Sequence, residues 1–179
     1  MTIVNRPFLV GAGHLSNDEM RAGSSSLASG WGSELIEYSC IDNPIEILNS
    51  LPKKNCLIQL LGDAAMLHPE GGSWLESLGA WRQPIILKVI TTPSGDVPGT
   101  AAAYKALCEF LGVPLLGLIQ FGGNWNHVQR RLDGLPWLGW LPSNTPAISH
   151  GTDLNSNPKD EEIDRITLLL NHRLKKLGS

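Results

Sequence analysis

The stretch QPIILKVITTPSGDVPGTAAAYKALCEFLGVPLLGLIQFGGN, residues 83–124, decides the fold. Residues 84–90 form an almost continuous apolar run, and residues 113–119 form a second one. Such runs are typical of strands that are buried on both faces of a parallel sheet. Residues 100–111, between the runs, have helical spacing, so the stretch predicts a right-handed β-α-β crossover. The apolar residues predicted to share one face of this helix are Ala103, Leu107, Phe110 and Leu111.

The rest of the chain extends this unit in both directions. The predicted strands are residues 7–10, 34–41, 56–61 and 135–141, and the alternating segment 34–41 is predicted to be half-exposed or at an edge. The predicted helices are residues 44–51, 72–81 and 159–177. Residues 23–32 are predicted to be a loop or a poor helix, and residues 143–158 a surface loop. We expect a single α/β domain over residues 1–179, with three layers: a mostly parallel sheet and helices on both faces.

The composition is that of an ordinary globular protein, with 42% hydrophobic residues, 17% charged residues and a net charge of −3. Basic residues form no cluster larger than a pair, so we expect no nucleic-acid partner. No apolar run reaches the roughly 18 residues of a membrane-spanning helix, and no N-terminal signal pattern is present, so we expect no membrane partner. Cys56 and Cys108 lie in apolar runs, which indicates buried thiols and a cytoplasmic location.

Polar residues follow both strands of the central unit. Ligands of parallel sheets bind beyond the carboxyl ends of the strands, and side-chain amides there can read the edge of a base. The candidate ligand-binding residues are Thr92, Ser94, Gly95, Asp96, Gln120 and Asn124. The other interpretation is a proline-rich turn whose Asp96 caps the next helix, followed by a polar loop anchored by Trp125.

A glycine-rich turn follows the first predicted strand. Backbone N–H groups at a helix N-terminus attract phosphate or carboxylate, which makes this turn a candidate anion site. Its candidate residues are Gly11, Gly13, His14 and Ser16. The other interpretation is a plain strand-to-helix turn, since Ser16 and Glu19 have the spacing of a capping box.

A third candidate site is the loop after residues 56–61, which contains Asp63 and His68. A carboxylate and an imidazole suit metal binding or acid–base catalysis, and Asp63 is the candidate metal ligand. Together with Asp96 they could serve an enzyme that acts on a small molecule without ATP. The plainer interpretation is a solvated loop.

Residues 57–142 resemble dethiobiotin synthetase and its relatives among the P-loop ATPases. Four segments carry the resemblance: LIQLLGDAA (57–65), QPIILKVITTPSGDVPGT (83–100), FLGVPLLGLIQ (110–120) and LPWLGWLP (135–142). The resemblance implies a P-loop-NTPase-like topology and a homodimer that forms through residues 92–111. It also places the adenine-reading amide of the family at about Gln120.

The chain departs from this family at the phosphate-binding loop. The family has Gly-x-x-x-x-Gly-Lys-Ser/Thr, in which the lysine reaches the β- and γ-phosphates and the hydroxyl holds magnesium. Here the first strand leads into GAGHLSNDEMRAGSSS (11–26), and no lysine precedes Lys53. The metal-binding acid of the family falls at about Leu61, two residues before Asp63. Without a fixed charge opposite the transferred phosphoryl group, a large electrostatic contribution to catalysis is lost.

We therefore expect a degenerate dethiobiotin-synthetase-like protein that binds a small ligand or takes part in an assembly, without ATP hydrolysis. The alternative is a divergent ATP-dependent dethiobiotin synthetase, with ATP and magnesium as cofactors and with Arg21 or Lys88 in place of the missing lysine. The chain is rich in tryptophan, with six residues. Because aromatic residues favour interfaces, we expect Trp137 or Trp140 to be exposed at a partner surface or at the mouth of a pocket.

Overall fold

The computed structural model describes residues 6–142 and 158–178. Six strands form one open, all-parallel sheet. They are β1 (Phe8–Gly11), β2 (Glu34–Ser39), β3 (Cys56–Leu61), β4 (Ile85–Ile90), β5 (Leu115–Phe121) and β6 (Trp137–Leu141). Their order across the sheet is β2-β3-β1-β4-β5-β6. The alternating segment, predicted to be half-exposed or at an edge, contains β2, which is an edge strand. Since β1 lies between β3 and β4, the loops after these three strands open at the same edge of the sheet.

Helices cover both faces of the sheet. They are α1 (Asn17–Arg21), α2 (Ser24–Gly30), α3 (Pro44–Asn49), α4 (Trp74–Ala80), α5 (Gly99–Phe110), α6 (His127–Leu132) and α7 (Pro158–Leu177). Alternate residues of β1 enter two separate cores: Phe8 and Val10 pack with α3, α4 and α5, whereas Leu9 packs with α2 and α7. The predicted three-layer α/β architecture is confirmed. Of the predicted surface loop, residues 143–157 lie outside the described residues.

The central β-α-β unit is confirmed, and half of the predicted face of its helix packs as expected: Leu107 and Leu111 are partly buried against the core. Ala101, Tyr104 and Cys108 are the buried residues of α5. Ala103 faces solvent, and Phe110 is 86% exposed. The segment AAAYKAL has small or apolar residues on most sides of the helix, so two adjacent faces have helical spacing. The pattern does not distinguish which of the two faces is buried. Packing of Tyr104 against the end of β3 selects the other face.

Residues 24–30, in the segment predicted as a loop or a poor helix, form α2. A Cβ atom at Gly30 would overlap the side chain of Ile163, so small residues are what let α2 approach α7 closely. The helix is therefore stabilised by tertiary packing, which intrinsic propensity does not reveal. The thiols of Cys56 and Cys108 are buried, as predicted, and so is that of Cys40. Within residues 6–142 and 158–178, no helix is both long enough and apolar enough to cross a bilayer.

Candidate functional site

The carboxyl ends of β4 and β5 open into a cavity of about 530 Å³. Its apolar walls come from Ile90, Pro93, Phe121 and Pro142. The lining residues with polar side chains are Glu19, Thr91 and Asn124. Cavities of this size, largely apolar and with few polar groups, are typical of small-molecule sites.

The loops after β4 and β5 lie backbone to backbone beside this cavity. The Asn124 N–H donates to the carbonyl of Pro93 (3.1 Å), and the Thr91 hydroxyl donates to the carbonyl of Gly122 (3.0 Å). Gly123 has a φ of +61°, and a Cβ atom there would overlap the carbonyl oxygen of Thr92. Glycine is therefore required at residue 123 by its conformation and by the close approach of the two loops.

A buried arginine links the loop after β4 to the end of β5. Arg130 is 8% exposed, and its Nε donates to Oε1 of Gln120 (3.1 Å). Its other nitrogens donate to the carbonyl of Gly95 and to Oδ2 of Asp133 (2.9 Å). The fully buried Gln120 in turn donates to the carbonyls of Gly122 (2.9 Å) and Asn124 (3.1 Å). Both ends of the Gln120 amide are thus bonded within the protein, and it shapes the wall of the cavity.

The polar residues after β4 bond mainly to one another. The Thr92 and Ser94 hydroxyls lie 2.8 Å apart, and both bond to Oδ2 of Asp96, at 3.1 and 2.5 Å. The hydroxyls of Ser94 and Thr92 lower the pKa of Asp96. These three exposed residues close the turn that carries Gly95. By contrast, the exposed side chain of Asn124 has no hydrogen-bond partner among the described residues.

The glycine turn after β1 holds a carboxylate of its own chain. Ser16 is the N-cap of α1, and Glu19 accepts hydrogen bonds from its N–H and from its hydroxyl, both at 2.8 Å. The predicted capping box is confirmed, and the Ser16 N–H is the main cause of the lowered pKa of Glu19. Gly11 and Gly13 form a tight turn in which the Gly13 N–H donates to the Gly11 carbonyl (3.0 Å). A residue of opposite charge to the family's lysine therefore lies at this turn.

Lys88 is fully buried beside the same turn. Its Nζ donates to the carbonyls of Met20 (2.8 Å) and Ala22 (2.5 Å), lies 3.5 Å from the Ser24 hydroxyl, and lies 4.0 Å from the centre of the Phe121 ring. Burial lowers the pKa of Lys88 to about 7, and the negative charge of Glu19 acts in the opposite direction. Three acceptors match the three N–H bonds of an ammonium group. Lys88 thus closes the C-terminal end of α1 and supports the cavity wall.

The candidates after β3 have separate local partners. Oδ1 of Asp63 accepts from the Ala65 N–H (2.9 Å) and from the Tyr104 hydroxyl, whose pKa is raised by burial and by this bond. Nε2 of His68 lies 3.0 Å from the carbonyl of Ile41, and the Glu70 N–H donates to its Nδ1 (3.3 Å). Asp96 bonds within its own turn, so the structure does not join Asp63, His68 and Asp96 through hydrogen bonds. Among the described residues, no group of three or more His, Cys, Asp or Glu could hold a metal.

Most of the tryptophans are held by hydrogen bonds from their indole N–H groups. Trp140, which is half-buried, donates to the carbonyls of Gly122 (3.1 Å) and Gly123 (3.0 Å) and so supports the loop beside the cavity. Trp137 is also half-buried and donates to Asp133 at 3.0 Å. Trp81, by contrast, is 41% exposed.

Three residues that shape the site were not among the sequence candidates: Glu19, Phe121 and Arg130. Glu19 carried a signal, because its capping-box spacing already placed its carboxylate at the start of α1. Arg130 carried none, because its partners Gln120 and Gly95 lie 10 and 35 residues away along the chain.

No protein-family model matches the chain, and no curated protein shows significant similarity to it. The resemblance to dethiobiotin synthetase therefore stays a prediction from the motifs.

Proposed function

We propose that this protein is a degenerate relative of dethiobiotin synthetase that binds a nucleoside-sized small molecule and does not hydrolyse ATP. One observation carries the proposal: a cavity of about 530 Å³ lies at the ends of β4 and β5, and the carboxylate of Glu19, one of its lining residues, accepts hydrogen bonds from Ser16 just after the turn that follows β1. The cavity offers apolar contact to a ligand, and the negative charge of Glu19 opposes the binding of a phosphate beside it.

The polar groups at the cavity favour an uncharged or cationic ligand. The side-chain amide of Asn124, which has no partner in the part of the chain that the structure describes, offers both donors and an acceptor, which suits the edge of a heterocyclic ring. Glu19 carries a negative charge at the cavity wall, and a phosphate placed beside it would meet like-charge repulsion. A nucleoside fits these features better than a nucleoside triphosphate.

The cations near the turn after β1 have other partners. Nζ of Lys88 is bonded to carbonyls of the α1–α2 junction, and Arg21 pairs with Glu37 at 3.1 Å. The alternative function, a divergent synthetase that uses ATP and magnesium, would need one of them to leave its partner and face the γ-phosphate. Transition-state stabilisation depends on donors that are already oriented, which these are not.

We also propose a cytoplasmic homodimer that forms through residues 92–111. The exposure of Phe110 supports this interface, because a large ring at 86% exposure loses unfavourable contact with water when it is covered. Replacing Phe110 with Ser should convert a dimer to a monomer in light scattering, whereas Leu168→Ser, at an exposed position of α7, should not. A monomeric unmodified protein would refute the dimer. A protein partner through Trp81 remains a further part of the proposal.

Binding of adenosine tests the ligand site. We expect millimolar adenosine to shift the amide resonances of Gly122, Gly123 and Asn124 in a saturable way. Asn124→Leu should weaken the binding, and Asn49→Leu, which changes an exposed asparagine outside the cavity, should not. Absence of saturable shifts at these amides would contradict the proposed ligand class.

A further inference from the structure

A second cleft, of about 390 Å³, lies between α6, the start of β6 and α7. Two indoles line it, from Trp125 and Trp137, and so do the guanidinium groups of Arg130, Arg131 and Arg173. Its residues are distinct from those that line the cavity at the ends of β4 and β5. The proposed function makes no use of this cleft.

Positive charge in the cleft exceeds the negative charge that faces it. Arg130 is paired with Asp133. Arg173 instead donates to backbone carbonyls, those of Leu116, Pro136 (3.0 Å) and Trp137 (3.2 Å), and no carboxylate among the described residues pairs with it. Burial lowers the pKa of Arg173. An anion in the cleft would act in the opposite direction, because a nearby opposite charge favours the charged form.

Arg131 adds an available guanidinium. It is exposed on α6, and its side chain has no hydrogen-bond or ion-pair partner among the described residues. A guanidinium presents several N–H donors in a planar fork, which matches the oxygens of a phosphate or a carboxylate. It can therefore bind an anion without breaking an existing bond.

The two indoles are held in fixed positions. The rings of Trp125 and Trp137 meet edge to face, with centroids 5.8 Å apart and planes at 90°. Their N–H groups are already bonded, to Nδ1 of His127 (3.1 Å) and to Asp133 (3.0 Å). The guanidinium of Arg130 lies over both rings, with its Cζ 5.9 Å from the centroid of Trp125 and 5.2 Å from that of Trp137. What the indoles offer a ligand is the ring surface that Arg130 leaves uncovered, which packs well against another aromatic ring.

We propose that this cleft binds a small aromatic anion, meaning a planar ring that carries a phosphate or a carboxylate. The ring would pack against the indoles of Trp125 and Trp137, and the anionic group would bond to Arg131 within the positive field of Arg173. The cations favour the acid group of such a ligand, and the indoles favour its ring.

Calorimetric titration with phenyl phosphate tests the assignment, with benzyl alcohol and inorganic phosphate as partial ligands. We expect phenyl phosphate to bind more tightly than either one. Arg131→Gln removes one charge-assisted hydrogen bond and should weaken phenyl phosphate by about tenfold. Arg82→Gln is the matched control, since Arg82 is also exposed and lies outside the cleft. Tryptophan fluorescence and circular dichroism establish that both variants stay folded.

Three outcomes would overturn the proposal: no saturable binding of phenyl phosphate, equal weakening by both substitutions, or equal affinity for phenyl phosphate and inorganic phosphate. The last result would identify a general anion site in which the indoles have no part. The cleft lies outside the cavity at β4 and β5, so its failure would leave the adenosine experiment unaffected.

Discussion

Two regions at the same edge of the sheet both bond most of their polar groups within the chain, but only the second makes most of the wall of a cavity. In the first, made by the loops after β1 and β3 (residues 12–16 and 62–73), the carboxylates of Glu19 and Asp63 are bonded to neighbours in their own chain. In the second, made by the loops after β4 and β5 (residues 91–98 and 122–126), buried groups hold the backbone open around a cavity. We call them the closed region and the open region.

The difference indicates which region offers a ligand the more favourable free energy of binding. In the closed region a ligand would have to displace existing hydrogen bonds, and the free energy that those bonds contribute would be lost. In the open region it meets apolar walls and an amide without a partner among the described residues, so burial of its own apolar surface is favourable. The closed region is the one that triphosphate chemistry would require.

Replacing Arg130 with Met should have the largest effect on the open region. The change leaves Oε1 of Gln120 and the Gly95 carbonyl, both in buried residues, without a donor, and it removes one of the donors to Asp133. A buried acceptor left unpaired costs about 1–3 kcal/mol, so the two together should cost about 4 kcal/mol of unfolding free energy. Urea denaturation measures this loss, with Arg165→Met as the control at a 59% exposed side chain. A loss no larger than that of the control would show that Arg130 does not hold the loops together.

Gly123→Ala should be the next most destabilising change. The new Cβ atom meets the Thr92 carbonyl in a left-handed conformation, and the combined strain and overlap cost about 3 kcal/mol. Gly32→Ala has a similar φ of +67°, with nothing within 4 Å of its Cβ position, and isolates the conformational part. Equal losses for the two variants, measured by urea denaturation, would mean that the two loops are not in close contact.

Lys88→Met tests how the stability contributed by Lys88, which lies beside the closed region, depends on pH. The pKa of Lys88 is lowered from 10.5 to about 7 in the folded protein, so between these values the unfolded chain binds more protons than the folded one. The contribution of Lys88 to stability should therefore rise as the pH increases from 7 to about 10, with a slope of at most about 1.4 kcal/mol per pH unit. Below pH 7 it should be constant.

Unfolding free energies of the unmodified protein and of Lys88→Met, measured across this pH range, check the slope. The exposed Lys53→Met is the control, for which we expect a profile parallel to that of the unmodified protein. If the Lys88→Met profile were also parallel, Lys88 would hold its proton throughout. Its three acceptors would then outweigh burial.

Glu19→Gln should have the smallest effect. The amide still accepts a hydrogen bond from Ser16, so only the favourable charge at the start of α1 is lost, about 0.5 kcal/mol. Because the pKa of Glu19 is lowered from its ordinary value of 4.5, its charge contributes at neutral pH, and the contribution disappears as the pH falls below that value. Thermal denaturation at neutral and acidic pH measures both. A loss that persists at acidic pH would contradict the electrostatic explanation.

The sequence predicted the strands of the central unit because burial on both faces of a strand has a local signature. It left residues 23–32 open between a loop and a poor helix, since α2 depends on contact between Gly30 and Ile163, residues far apart in the chain. The predicted face of α5 is only partly buried, because small and apolar residues also lie on the neighbouring face, which packs more deeply. Patterns within a segment fix its type, whereas the face it buries depends on its neighbours.

The sequence predicted that the candidate residues of the central unit lie at the carboxyl ends of β4 and β5, and the structure has them there, but the sequence did not reveal their hydrogen-bond partners. The sequence placed Gln120 among ligand-binding residues, and the structure shows its amide bonded to Arg130 and to backbone carbonyls. Asn124, four residues later, lines the cavity, and its side chain has no hydrogen-bond partner within residues 6–142 and 158–178. The two residues differ in exposure: Gln120 is buried, and Asn124 is exposed. The sequence does not reveal this difference, because it depends on the hydrogen bond from Arg130 to Gln120.

Thermal denaturation with and without millimolar Mg-ATP tests the central claim, that the closed region does not hold a nucleotide phosphate. A ligand that binds the folded protein raises its melting temperature with concentration. We predict no rise with Mg-ATP. A saturable rise that Arg21→Gln or Lys88→Met abolishes would show that a cation of this region binds the triphosphate, and it would contradict the account.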